Sequence, residues 1–229
     1  MKILESRPLV IDGKASVHFI RIDPEDISAT LSEIIKVIMD LSWLKHFDPD
    51  FLVDSYRNRA SKTISDIKRK FDQALDDGLT KDAGEYLVSE LAREAIVSQL
   101  NYLNIPLAEL LGKKVSGNPG FDFHSQNPVT DTIIFGEAKY ISGRSAYSSA
   151  IEQIKHFVDD KKDIDDIADL EHFCTVKALS RAANGLKGFA AAFSAKNTAS
   201  EKLIQSITQK AEFKELLVYD EIIIVAVNL

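Results

Sequence analysis

The seven residues from 221 to 227, Glu-Ile-Ile-Ile-Val-Ala-Val, constrain the fold of this chain most. Both alternating faces of this run are apolar, which is typical of a strand that is covered on both sides in a sheet of an α/β protein. In the middle of the chain, a helical pattern over 82–101 is followed by two strand patterns and another helical pattern. This order predicts an α/β fold with a mixed sheet.

Local patterns predict the remaining elements. The stretch from 185 to 195 is rich in small residues and fits no element. We predict an N-terminal strand-helix extension over residues 1–60, packed on a core of residues 61–229. The predicted elements are two strands around an Asp12-Gly13 turn within 1–22, a helix that starts at 23–26, helices at 61–77, 82–101, 146–159, 163–183 and 198–210, and strands at 120–124 and 130–140 around the Asn127-Pro128 turn.

Composition excludes several classes of protein. The single cysteine, Cys174, rules out an internal disulfide framework and any multi-cysteine zinc site. We expect a cytoplasmic protein without a membrane partner, because no apolar run approaches the roughly 20 residues of a membrane span and the N-terminus lacks a secretion signal. A net charge of −7 argues against a protein that coats nucleic acid. It does not exclude a nuclease, in which only the docking face has to be basic.

The Glu137-Ala-Lys139 segment is the first candidate for chemistry. Residues i and i+2 of a strand point to the same face, so Glu137 and Lys139 project together at the end of an apolar run. Burying two charges there is costly unless they pair or bind a metal ion. A carboxylate could bind a divalent cation, and a lysine could orient or deprotonate water. The same acidic-x-Lys pattern recurs outside apolar strands at 12–14, 66–68, 159–161, 160–162 and 212–214. Surface ion pairs are the ordinary explanation for these copies.

Asp122 lies on the strand predicted just before Glu137. Alternation places Asp122 and His124 on one side of that strand, with Phe121 and Phe123 on the other. Two carboxylates on adjacent strands suit Mg²⁺, which takes hard oxygen ligands and keeps several waters. Taken alone, Asp122 is equally well explained as a carboxylate at a strand edge.

Glu85 is the third acidic candidate. On the predicted 82–101 helix it shares a stripe with Val88, Ala92 and Ala95, so it is expected to face inward. A role without catalysis is also open, because Asp82-Ala-Gly-Glu85 fits a helix capping box.

Accessory candidates flank these residues. Gln153 lies one helical turn before Phe157 and could orient the substrate or a metal-bound water. Arg144 and the pair Lys113 and Lys114 could contact phosphates. Solvated surface residues are the simpler explanation for all four of these polar side chains. His124 could contact DNA or hydrogen-bond a carboxylate, and a satisfied histidine at the edge of the core is the simpler explanation there.

The order of these residues resembles the PD-(D/E)XK nuclease superfamily. Glu85 on a helix, Asp122 on a strand, Glu137-Ala-Lys139 on the next strand and Gln153 on a helix follow its pattern. The chain departs from that pattern at Phe121, where the superfamily has proline, and at Phe157, where the related branch has tyrosine. More narrowly, three segments are similar to the HamA family of nucleases from the Hachiman anti-phage defence system: 84–87, 120–124 and 135–140.

The resemblance implies a restriction-endonuclease-like mixed sheet flanked by helices, and a DNA endonuclease that acts with a helicase partner. It implies Mg²⁺, with Mn²⁺ as a substitute, bound by Asp122, Glu137 and the Ala138 carbonyl. Lys139 would position the attacking water and Glu85 would complete the cluster. Two alternatives remain: a catalytically silent nuclease-fold subunit that binds nucleic acid or serves as a scaffold, and a structural α/β protein.

Overall fold

The computed structural model describes residues 1–111, 120–195 and 198–229. Lys113 and Lys114, which we predicted to flank the site, lie outside the described residues. The strands are β1 (Lys2–Leu9), β2 (Ser16–Asp23), β3 (Phe123–Asn127), β4 (Thr132–Lys139), β5 (Gly188–Ser194) and β6 (Glu221–Val227). The helices are α1 (Ile27–Met39), α2 (Asp50–Asp77), α3 (Lys81–Leu100), α4 (Tyr147–Asp159), α5 (Lys162–Asp166), α6 (Val176–Ala183), α7 (Ser200–Gln209) and α8 (Ala211–Leu216).

The strands form one mixed sheet in the order β1-β2-β6-β5-β4-β3. Strand β6 lies inside it, pairs in parallel with β2 on one side and β5 on the other, and is buried along its whole length. This confirms the prediction made from residues 221–227. Strands β1 and β3 pair antiparallel at the two edges.

Helices cover both faces of the sheet. Side chains of β6 alternate between two apolar clusters: Ile223 and Val225 pack with α1, α2 and α3, whereas Ile222 and Ile224 pack with α4, α6, α7 and α8. The fold class is therefore α/β with a mixed sheet flanked by helices, as predicted. None of the helices in the described residues is long and apolar enough to cross a membrane.

One prediction for the second half of the chain was wrong, and one stretch that the sequence patterns did not assign is a strand. The single helix expected over 163–183 is split into α5 and α6, because Thr175 starts a new helix by accepting a hydrogen bond from the backbone amide of Ala178 (3.1 Å). The unassigned stretch of small residues contains β5, a fully buried strand between β4 and β6. Its alanines have little intrinsic preference for a strand, so pairing with two neighbours decides its conformation.

Buried polar contacts hold α5 against the sheet. Asp166 is within 2.9 Å of Nε2 of His124, and Lys187 pairs with Asp163; all four residues are buried. His124 is thus a buried core histidine that pairs with Asp166 and is not accessible to DNA, which corrects its candidate role in binding. The expected alternation also fails before β3, which begins only at Phe123. Phe121 and Phe123 belong to apolar clusters on opposite faces of the sheet.

The N-terminal segment shares the sheet with the rest of the chain. Strands β1 and β2 flank the predicted Asp12-Gly13 turn, and α1 begins after Asp26, whose side chain accepts a hydrogen bond from Ala29 N (3.0 Å). The predicted 61–77 helix is longer at its start, so the boundary that we placed between residues 60 and 61 falls inside α2.

Candidate active site at the end of the β3-β4 pair

Helix α3 positions Glu85 in its second turn. The helix is capped by Thr80, whose hydroxyl accepts a hydrogen bond from Ala83 N (3.3 Å). Asp82 therefore lies inside the first turn and is not the cap, so Glu85 does not belong to the capping box that the sequence left open. The Glu85 side chain is 25% exposed.

Asp122 joins the end of β4 through its side chain. Its backbone amide donates to the Gly136 carbonyl (2.8 Å), which continues the β3-β4 ladder by one residue. At the next position the side chain of Asp122 replaces its backbone as the partner of β4: Oδ2 accepts a hydrogen bond from the backbone amide of Ala138 (2.8 Å). The Asp122 carboxylate is thereby held at the residue between Glu137 and Lys139.

Lys139 lies among three carboxylates. Its Nζ is 2.5 Å from Oε1 of Glu137 and 3.9 Å from Oε1 of Glu85. Glu137 is almost inaccessible, with 3% of its side chain exposed, and Lys139 is 20% exposed. The structure therefore brings together Glu85, Glu137 and Lys139 beside the anchored carboxylate of Asp122, as the sequence predicted. We call these four residues the carboxylate-lysine cluster.

Two glycines let the elements of the cluster approach each other closely. The ring of Tyr140, which follows Lys139, packs on Gly84, which precedes Glu85. The ring of Phe123, which follows Asp122, packs on Gly136 of β4. A methyl group on either glycine would overlap the facing ring, so each contact holds two members of the cluster in register.

Electrostatics in the cluster favour a charged lysine. Burial alone would lower the pKa of Lys139, but the negative charges of Glu137 and Asp122 outweigh burial and raise it. The amine is therefore positively charged at neutral pH. Burial raises the pKa of Glu85, and the negative charge of Asp122 raises it further. The positive charges of Lys139 and Lys81 lower it but do not cancel the rise; Nζ of Lys81 is 4.0 Å from Oε1 of Glu85.

Removing the charge of Glu85 is expected to stabilise the protein at neutral pH. In the unfolded chain Glu85 ionises near 4.5, and in the folded protein its pKa is higher. As pH rises through this window, ionisation costs the folded state more than the unfolded state, so stability falls. Glu85→Gln avoids this cost. Urea unfolding should show the variant to be more stable at pH 7 and equal to the wild type below pH 4.5. A variant that is less stable at pH 7 would contradict the prediction.

Two clefts meet at Glu85. The α3 cleft, of about 190 Å³, is lined by Lys70, Asp82, Tyr86, Ser89 and Glu109 and reaches Asp122. The α4 cleft, of about 350 Å³, reaches Lys139 and is lined by Lys81, Tyr140, Ser149, Gln153 and His156.

Of the accessory candidates, Gln153 faces the site. It lines the α4 cleft together with Lys139. One turn further on, Phe157 is buried in the core, where its ring packs against that of Phe121 with the ring centroids 5.3 Å apart. Arg144 is exposed in the turn between β4 and α4 and lines neither cleft.

The donor set of the cluster suits a hard divalent cation. Carboxylate oxygens are the ligands that Mg²⁺ prefers, and it binds through one or two of them while keeping several waters. Oε1 of Glu85 is buried and accepts no hydrogen bond from the described residues. Within residues 1–111, 120–195 and 198–229, however, no three acidic, histidine or cysteine side chains are spaced to hold one metal ion together.

Sequence reasoning missed several residues of the site. Lys81, Tyr86 and Tyr140 neighbour the predicted residues in the clefts, but a lone exposed lysine and two tyrosines carry no signal by themselves. The two glycines did carry a signal. Glycine inside a helix or a strand is unfavourable relative to alanine, so Gly84 and Gly136, each directly before a candidate glutamate, indicate a close approach of another group.

Comparisons with known proteins add no family to this description. A scan against protein-family models finds no match, and searches of the curated proteins and of the solved structures find none. The function has to be inferred from the residues and their geometry.

Proposed function

We propose that this chain is a Mg²⁺-dependent DNA endonuclease of the PD-(D/E)XK class, with a restriction-endonuclease-like core. One observation carries the proposal: the Asp122 carboxylate is hydrogen-bonded to Ala138, between Glu137 and Lys139. Asp122 directly precedes β3, residues 137–139 end β4, and Glu85 joins them from α3. Convergence of these residue types at the end of a strand pair suits hydrolysis of a phosphodiester.

Each residue has a role that follows from its place. Asp122 and Glu137, with the Ala138 carbonyl, would hold the cation. When bound, Mg²⁺ supplies charge stabilisation at the phosphate and lowers the pKa of a coordinated water. Lys139 is charged at neutral pH, so it orients water and balances charge on the phosphate and does not act as a resting base. Glu85 completes the cluster from the α3 side, and Gln153 can hydrogen-bond substrate in the α4 cleft.

Plasmid cleavage tests this proposal. With Mg²⁺ or Mn²⁺ the wild type is expected to nick or linearise supercoiled plasmid, and EDTA should stop the reaction. Asp122→Asn keeps an oxygen that can accept from Ala138 N but removes the charge, so it should lower the rate at least about a thousandfold. The matched control is Glu212→Gln, which lies in another Glu-x-Lys pattern on α8 and should cleave normally. Metal-dependent cleavage that survives Asp122→Asn would place the activity elsewhere.

A second candidate function is a catalytically silent subunit that binds nucleic acid. It is favoured by the lack of a three-residue metal group among the described residues. Binding of DNA without any cleavage by the wild type, in either metal, would select this candidate. A helicase partner and a role in anti-phage defence rest on the sequence resemblance alone, and a cytoplasmic location rests on sequence composition; all three are proposals.

A further inference from the structure

The depth of the carboxylate-lysine cluster limits which nucleic acids can reach it. Only 3% of the Glu137 side chain and 20% of the Lys139 side chain are exposed. Among the described residues, Asp122 lines the α3 cleft and Lys139 lines the α4 cleft, so a phosphate that approaches the cluster through either cleft enters a recess of about 190 or 350 Å³. A backbone that can bend one phosphate inward suits such a recess.

A base-paired duplex suits such a recess less well, because pairing with a second strand keeps each backbone stiff and its bases inside the helix. Negative supercoiling favours local unpairing of a plasmid, so nicking of supercoiled plasmid is still expected from a site of this kind. A single strand has no partner strand and bends at each nucleotide, so that one phosphate can be lowered into a cleft while the bases rotate away.

The clefts also contain residue types that single-strand binding sites use. Such sites combine aromatic rings, on which bases stack, with cations along the backbone. Tyr86 follows Glu85 directly and lines the α3 cleft, where Nζ of Lys70 lies over one face of its ring, 5.0 Å from the ring centroid. On the other side of Glu85, in the α4 cleft, Lys81 is 75% exposed. An aromatic ring with a lysine over it and a solvent-facing lysine thus lie on either side of Glu85.

We propose that the site takes single-stranded DNA, which crosses Glu85 with a base against Tyr86 and a phosphate beside Lys81. The inference rests on the proposed function only in taking DNA as the ligand of this site.

Binding in EDTA tests the inference without any need for cleavage. Fluorescence anisotropy would compare a labelled single strand of about 20 nucleotides with the same strand annealed to its complement. The single strand is expected to bind at least about tenfold more tightly. Tyr86→Ala should weaken its binding at least about fivefold, whereas Tyr86→Phe keeps the ring and should bind like the wild type.

Matched lysines test the cation. Lys81→Ala should weaken binding of the single strand, while Lys177→Ala should not, although Lys177 is 73% exposed, nearly as much as Lys81. Equal or tighter binding of the duplex would overturn the inference, as would unchanged binding by Tyr86→Ala. Failure of the nuclease proposal gives a different result: no cleavage of plasmid or single strand with Mg²⁺ or Mn²⁺, whatever the anisotropy shows.

Discussion

Replacing Lys139 with methionine is expected to lower the rate of metal-dependent cleavage by about a hundredfold to ten-thousandfold. The same change should destabilise the fold by roughly 3 kcal/mol, because it leaves the buried Glu137 carboxylate without the ammonium at 2.5 Å. Plasmid cleavage and urea unfolding would measure the two effects. Lys214→Met, in an exposed copy of the Glu-x-Lys pattern, should change neither.

A double variant separates catalysis from stability. Glu137→Gln combined with Lys139→Met removes both charges of the buried pair, so no uncompensated carboxylate remains between them. Most of the lost stability should return, because replacing a whole buried pair is often close to neutral. The cleavage rate should stay at or below that of the Lys139→Met variant. A double variant that cleaves DNA like the wild type would exclude Glu137 and Lys139 from the chemistry, and a Lys139→Met protein as stable as the wild type would show that their ion pair contributes nothing to the fold.

Replacing Gly136 with alanine is expected to destabilise the protein by about 2–4 kcal/mol and to abolish cleavage. The added methyl group would overlap the ring of Phe123, which is completely buried and has no space to retreat into. Displacing Phe123 would also move Asp122, its neighbour in sequence, away from Ala138. Thermal or urea unfolding gives the stability, and plasmid cleavage gives the activity.

A double-mutant cycle identifies the cause of this loss. Phe123→Leu alone should cost roughly 1–2 kcal/mol through lost packing. If the ring is what the new methyl group meets, Gly136→Ala with Phe123→Leu should be more stable than the sum of the single changes predicts, by at least about 1 kcal/mol. Simple additivity would mean that Gly136 is required for another reason, such as backbone conformation.

The residues of the candidate site could be named from the sequence, but their contacts could not. Strand alternation is a local rule, and it correctly placed Glu137 beside Lys139. The same rule failed for Asp122 and His124, because the regular strand begins only at Phe123. The hydrogen bond from Ala138 to Asp122 links residues 16 positions apart. No local period encodes such a contact.

The sequence by itself determined the elements whose signal is local. The apolar run of β6, the helical period of α3 and the Asp-Gly turn between β1 and β2 each express a pattern that is complete within a few residues. Tertiary structure alone decided the strand at 188–194, the burial of His124 against Asp166 and the contact of Gly84 with Tyr140. In these cases the stabilising partner lies far away in the chain. Their conformation depends on which surfaces meet once the sheet has formed, and this information is not contained in any short stretch of sequence.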